Sequence, residues 1–241
     1  MAEVISRPVL PATVVSGFWN ITSKYSPEAY RAWLSNALRL NAGMVFFYED
    51  ESVLRLVSDI RAGLQTVFVK LAIRDFAVAR LYDRAWVDQF HIPTAELGMI
   101  WLEKVFMMEK AAALNPFGSQ WFAWMDAGCA PYRQRAPGPE PWPSEQALAR
   151  LPRDRVVHTH VEEWYHHFSG TAYMYHAAMA APVRQRFEQE VRRCAASRNP
   201  LPCGEDQYVW TQLLDREPAA FHKVGDGYGE LMPLLANAPT A

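Results

Sequence analysis

The sequence predicts an α/β protein, with a mostly parallel sheet flanked by helices inside a single domain spanning residues 1–241. Three observations carry this expectation. Short apolar runs rich in β-branched and aromatic residues recur at residues 12–18, 44–48, 66–73 and 121–125. Stretches with apolar residues at helical spacing separate them. Half of the residues are hydrophobic and only 21% are charged, which is enough apolar surface to cover both faces of a sheet. Strands alternating with helices read as βαβ units.

Taken in order, residues 1–11 carry two prolines and an arginine and read as a loose lead-in. Residues 12–18 (ATVVSGF) form a strand that opens into a turn at Ser16-Gly17. Ser26, Pro27 and Glu28 make a helix start, with Ser as N-cap and Pro in the first turn, and the helix runs to about residue 40. Residues 44–48 (MVFFY) form a second buried strand ending on Glu49, Asp50 and Glu51, followed by a helix to about Arg61. Residues 66–73 (TVFVKLAI) are a third strand, residues 75–90 a helix, and residues 94–114 a longer helix bearing Lys104 and Lys110. Trp121 to Met125 is the fourth strand, bounded by turn residues on both sides.

The second half differs in character. Residues 131–153 hold six of the prolines together with several arginines and read as a long surface loop. Residues 156–161 and 168–175 read as strands, and residues 182–197 and 204–214 as helices. Residues 221–229 (FHKVGDGYG) read as a glycine-rich loop and the last ten residues as a frayed end. Residues 1–128 thus form a candidate nucleotide-binding half and residues 129–230 an acceptor half of the same domain.

Composition excludes several classes. The net charge of −2 supplies no basic footprint for nucleic acid and no polybasic membrane patch. No apolar run reaches the roughly 18 residues of a transmembrane helix. The N-terminus lacks a basic region followed by an apolar core, so a cytoplasmic protein without a signal peptide is expected. Cys129, Cys194 and Cys203 show no metal-binding spacing and read as free thiols in a reducing compartment. GxxxxGK[ST], GxGxxG after a strand, HExxH and GxSxG are all absent, which argues against the common nucleotide, zinc-protease and hydrolase readings.

The acids are more informative. Asp126 ends a buried strand, and in open α/β sheets ligands bind at the C-terminal ends of strands. An Asp before Ala-Gly also starts turns. Glu205 and Asp206 stand at a helix start, where they serve equally as favourable charges at its N-terminus or, for Asp206, as a base or acceptor-orienting acid. Gly170-Thr171 interrupts a strand, which permits either close approach of a ligand or a bulge. His222 and Lys223, followed by three glycines, could hold a metal-bound diphosphate or form an ordinary loop. His158 and His160 share a strand face and are a candidate metal pair, set against a simpler reading as part of a polar, aromatic surface with Trp164 and Tyr165.

The blocks SGFWNI (16–21), LGMIWLEKVF (97–106), LNPFGSQWFAWMDAG (114–128), SGTAYMYH (169–176), CGEDQYVWT (203–211) and FHKVGDGYG (221–229) carry a resemblance. In their order and spacing, over residues 13–230, the chain resembles the HtrL/YibB-type family of glycosyltransferases. The resemblance implies a GT-A-like, Rossmann-like fold. It implies transfer of a sugar from a nucleoside diphosphate sugar to a hydroxyl of a glycan or small acceptor. It also implies a divalent cation, Mn²⁺ or Mg²⁺, on the diphosphate. In these terms Ser16, Gly17, Phe18, Lys104, Asp126 and Lys223 bind the donor. Trp164, Tyr165, Gly170, Thr171 and Gln207 face the sugars, and Asp206 is the catalytic acid–base group. Gly128 stands where GT-A enzymes carry the second acid of their Asp-x-Asp motif. The cation is therefore held by Asp126 with His222, or it is absent and Lys104 or Lys223 supplies the charge. The missing acid also motivates a second reading, a non-catalytic protein that binds carbohydrate or nucleotide. A third is a metalloenzyme built on the His158, His160 cluster.

Overall fold

The computed structural model describes residues 9–88, 91–197 and 203–236. Four strands come from the first half of the chain: β1 (Ala12–Phe18), β2 (Gly43–Tyr48), β3 (Thr66–Lys70) and β4 (Trp121–Met125). Three come from the second: β5 (Val156–His160), β6 (Phe168–His176) and β7 (Phe221–Asp226). All seven join one sheet in the order β3-β2-β1-β4-β6-β5-β7. The first four run parallel, and β7 runs parallel to β5. β6 is antiparallel to both β4 and β5, so the sheet is mostly parallel, as the sequence predicts.

Helices α1 (Pro27–Ala37), α2 (Glu51–Ile60), α4 (Glu145–Leu148) and α7 (Leu231–Ala236) share one core with Val14, Phe46, Ala123 and Met174 of the sheet. Helices α3 (Ala95–Leu114), α5 (Ala180–Ala195) and α6 (Asp206–Arg216) share the other with Val15, Phe47, Trp124 and Tyr173. Successive strand residues alternate between the two cores. That is why these strands read as unbroken apolar runs: both faces are covered.

Local chemistry sets the ends of the elements. Ser26 caps α1 by accepting from the Ala29 N–H, with Pro27 in the first turn, and Thr94 caps α3 by accepting from Leu97. The buried guanidinium of Arg61 donates to the carbonyls of Leu38, Leu40, Ala42 and Gln65 and to Thr66 Oγ1. It thereby ties the end of α1, the start of β2 and the α2–β3 turn together, and burial pulls its pKa down to about 10.

Several expectations are corrected. Residues 75–88 form no continuous helix; Ile73–Asp75, Ala77–Arg80 and Arg84–Trp86 are separate 3₁₀ turns, and residues 89–90 lie outside the described set. Side-chain acceptors take the backbone donors that a helix would use: Glu103 accepts from Ala77 and Val78 at 3.0 and 2.9 Å, and Asp83 from Ala85 at 2.9 Å. Residues 221–226 are strand β7 rather than loop, because β5 offers an edge to pair with. Residues 231–236 are not frayed: Leu231, Met232 and Leu235 are buried, while residues 237–241 lie outside the described set. The proline-rich segment is docked rather than free, with Trp142 buried and its indole donating to Met232 O at 2.8 Å. The lead-in over residues 1–8 lies outside the described set.

The thiols differ too. Cys194, near the end of α5, and Cys203, ahead of α6, form a disulfide, so only Cys129, buried, is free. Residues 198–202 between them lie outside the described set. Nothing in the spacing of these cysteines announces the pairing, which arises from the packing of α5 against α6. Among the described residues no helix is long and apolar enough to cross a membrane.

Candidate active site

The antiparallel pairing of β4 with β6 sets Met125 opposite Ala172, so the C-terminal end of β4 meets the N-terminal end of β6. Asp126, just past β4, donates its backbone N–H to Thr171 O at 2.9 Å. Its carboxylate Oδ1 accepts from the Trp124 indole at 2.6 Å and lies 2.9 Å from Lys104 Nζ. Both contacts fall on one oxygen, and the side chain is 31% exposed toward the cleft.

Lys104 comes from the middle of α3, a helix buried nearly all round, and its own side chain is 3% exposed. Nζ makes three contacts: Asp126 Oδ1, Asp206 Oδ2 at 3.0 Å, and Gly170 O at 3.1 Å. The contact with Gly170 O is a hydrogen bond, and the two carboxylates are ion-pair partners. Burial works against its charge, but the two carboxylates outweigh burial and its pKa rises.

Asp206 opens α6, and only 3% of its side chain is exposed. Burial pushes its pKa up to about 7 against the pull of Lys104. Gly170 makes room for it, since a Cβ there would stand 2.6 Å from Asp206 Oδ2. The Gly170 N–H donates to Gln207 Oε1 at 3.1 Å, so Gly170 contributes donor, acceptor and absence of side chain at one point.

Gln207 carries the network outward. Its Nε2 donates to Glu205 Oε1 at 2.9 Å and lies 3.2 Å from His166 Nε2. Glu205 Oε2 lies 2.9 Å from His91 Nε2, and His91 also meets the Tyr165 hydroxyl. Burial opposes the charge of Glu205, yet the bonds from His91 and Gln207 hold its pKa below the usual value. His166 Nε2 lies 2.9 Å from the Tyr228 hydroxyl, which donates to Glu163.

These groups wall a cleft of about 580 Å³. Aromatic and cationic groups share its lining: Phe18, Tyr25 and Tyr30 border it, Lys24 Nζ lies 4.8 Å from the Trp101 ring centre, and the Arg133 guanidinium sits 4.3 Å from that of Trp33.

The structure gathers most of the residues expected from the sequence. Gly17, Phe18, Lys104, Asp126, Trp164, Tyr165, Gly170, Thr171, Asp206 and Gln207 all line the cleft. Ser16 does not: it is buried inside β1 opposite Phe46. His222 and Lys223 stand on the edge strand β7 outside the cleft lining, and Lys223 pairs with Asp226 at 2.6 Å. His158 is buried, stacked on Phe168 at 4.8 Å, and so cannot offer a ligand pair with His160. Among the described residues no group of three or more His, Cys, Asp or Glu is arranged to hold a metal. Lys104 Nζ occupies the place between Asp126 and Asp206.

Sequence reading missed Lys24, His91 and Arg133 as cleft residues. Arg133 sits in the proline-rich segment, and only the aromatic series Tyr25, Tyr30, Trp33 hinted at what it packs on.

No protein-family model and no curated protein matches the chain. Among solved structures, the fold is similar to mouse xyloside xylosyltransferase 1 in its apo form (TM-score 0.48, 13% identity, 88% of this chain and 84% of that one). It is also similar to a cytidylyltransferase from Leptospira borgpetersenii serovar Hardjo-bovis (TM-score 0.46, 6% identity, 92% and 78%). A third is the PaToxG glycosyltransferase (TM-score 0.43, 10% identity, 88% and 71%).

Proposed function

We propose that the chain is a GT-A-like glycosyltransferase of the HtrL/YibB type. It moves a sugar from a nucleoside diphosphate sugar to a hydroxyl of a glycan or small acceptor. The observation that carries this reading is Asp126. It is a partly exposed carboxylate at the C-terminal edge of a parallel strand, in a cleft lined by aromatic rings, cations and further acids. Apolar pockets with a few convergent polar groups suit such ligands.

In this reading the nucleoside lies against Phe18 and Tyr30. The sugars lie toward Gly170, Thr171, Gln207, Trp164 and Tyr165. Transfer forms a bond from the acceptor oxygen to the anomeric carbon and breaks the bond from that carbon to the diphosphate oxygen, which leaves with the nucleotide, while the acceptor hydroxyl passes its proton to Asp126. The exposure of the two acids divides their work. Asp126, 31% exposed, meets the substrate, accepting from a hydroxyl through the oxygen not bound to Trp124 and Lys104. Asp206, expected from the sequence to be the base, is 3% exposed and serves by fixing Lys104 against Asp126. Acid–base groups of this kind contribute roughly 10²–10⁴-fold to rate.

The test is donor hydrolysis and transfer across a panel of nucleoside diphosphate sugars, comparing wild type with Asp126→Asn of matching circular dichroism. A loss of at least about a hundredfold is expected for the variant. Equal rates in the two proteins would remove Asp126 from the chemistry. Binding of donors without turnover by the wild type would instead make this a non-catalytic binding protein.

A further inference from the structure

The place where two acids converge is already filled by a cation of the chain. Lys104 Nζ is 2.9 Å from Asp126 Oδ1, 3.0 Å from Asp206 Oδ2 and 3.1 Å from Gly170 O. A metal bridging these oxygens would have to displace a buried ammonium that is ion-paired with both acids and hydrogen-bonded to Gly170 O. Lys104 is therefore held by the protein's own oxygens, with its side chain 3% exposed.

Two other cations line the cleft, and neither makes an ion pair among the described residues. Lys24 lies over Trp101 and Arg133 over Trp33 and Tyr25. Arg133 gives its Nε–H to Gly128 O at 3.0 Å, which leaves its terminal nitrogens free to point elsewhere. Aromatic faces hold both head groups without neutralising them. Both border Tyr25: Lys24 is its chain neighbour and lies within electrostatic reach of Glu205 and Asp206, and Arg133 stands over its ring.

We infer that this site works without a divalent cation. Lys104 permanently takes the seat between Asp126 and Asp206, and Lys24 with Arg133 receives the diphosphate. The inference rests on the glycosyltransferase reading for its choice of anion, though not for the occupancy by Lys104.

The experiment has two arms on the full chain. In the first, Mn²⁺ alone is titrated calorimetrically into wild type and Lys104→Gln. Wild type is expected to show no stoichiometric binding, while the variant, whose two acids have lost their cation, binds. Stoichiometric Mn²⁺ binding by wild type overturns the inference. In the second, uridine, guanosine and cytidine diphosphates are titrated in EDTA and in Mn²⁺. Equal affinities are expected in the two buffers, with a loss of tenfold or more in Lys24→Ala and in Arg133→Ala. Binding that requires Mn²⁺, or that is unchanged in both alanine variants, overturns it. Lys24 and Arg133 are surface-reaching, so these variants test the inference even if Lys104→Gln does not fold. Failure of every diphosphate to bind defeats the glycosyltransferase reading, while the first arm still decides the place of Lys104.

Discussion

Gly170 lies directly against Asp206: a methyl group on Gly170 would stand 2.6 Å from Asp206 Oδ2 and 2.7 Å from Gln207 Cγ. The same glycine donates to Gln207 and accepts from Lys104, so the strand and the two helices close on one residue. Gly170→Ala is therefore expected to destabilise the protein by about 1–3 kcal/mol, as overpacking does. It should also abolish donor turnover. Urea denaturation and hydrolysis assays check both; a variant of wild-type stability and rate would show that the contact yields freely.

Lys104→Met leaves Asp206 buried beside nothing that compensates its charge. Breaking a buried pair in this way costs about 3–5 kcal/mol. The loss should be largest above neutral pH and should shrink as acid protonates the orphaned carboxylate. The double variant Lys104→Met, Asp206→Asn should recover much of the loss. Urea midpoints at pH 5 and pH 8 measure this, and a double variant as unstable as the single one would contradict it.

His158 is buried, and burial pulls its pKa down from 6.5 to about 4. The unfolded chain therefore takes up a proton at this position between those values while the native state does not. Stability is full above pH 6.5 and falls as pH drops toward 4, by about 3 kcal/mol if a shift of one unit is worth about 1.4 kcal/mol. His158→Phe, which keeps a ring on Phe168, should flatten the stability–pH curve in that window. An unchanged slope would assign the acid sensitivity to other groups.

Trp164 is 91% exposed at the cleft rim. Trp164→Ala should change stability by less than about 0.5 kcal/mol, as surface substitutions do. Its effect should fall on acceptor KM, with donor hydrolysis unaltered. Steady-state kinetics at varied acceptor concentration separate the two, and a thermal shift of several degrees would mean that the indole packs.

Where local chemistry decides a structure, the sequence shows it. Ser26-Pro27 and Thr94 announce their helices because a cap acts within three residues. Asp126 could be singled out because an acid ending an apolar run is a local anomaly. What could not be seen is what only packing creates. Lys104 stands among the donor-site candidates by resemblance, but its burial between two acids shows only once α3 is packed. Residues 73–88 have the composition of a helix but surrender two backbone donors to Glu103, which lies some 25 residues away in sequence. Residues 221–226 became a strand only because β5 left an edge open. His222 and Lys223 followed that strand to the sheet's margin and out of the cleft.

The bridge between Cys194 and Cys203 gives the protein a thiol count that reports its state. A native, oxidised preparation should show no thiol reacting with a small aromatic disulfide reagent, because Cys129 is fully buried. Unfolding should reveal one thiol, and reduction after unfolding should reveal three. The bridge closes only three residues before Asp206, so a sample with two extra thiols has lost a covalent anchor ahead of α6. Rates measured on preparations of different thiol content are then rates of two different molecules, and titrating the thiols comes before comparing them.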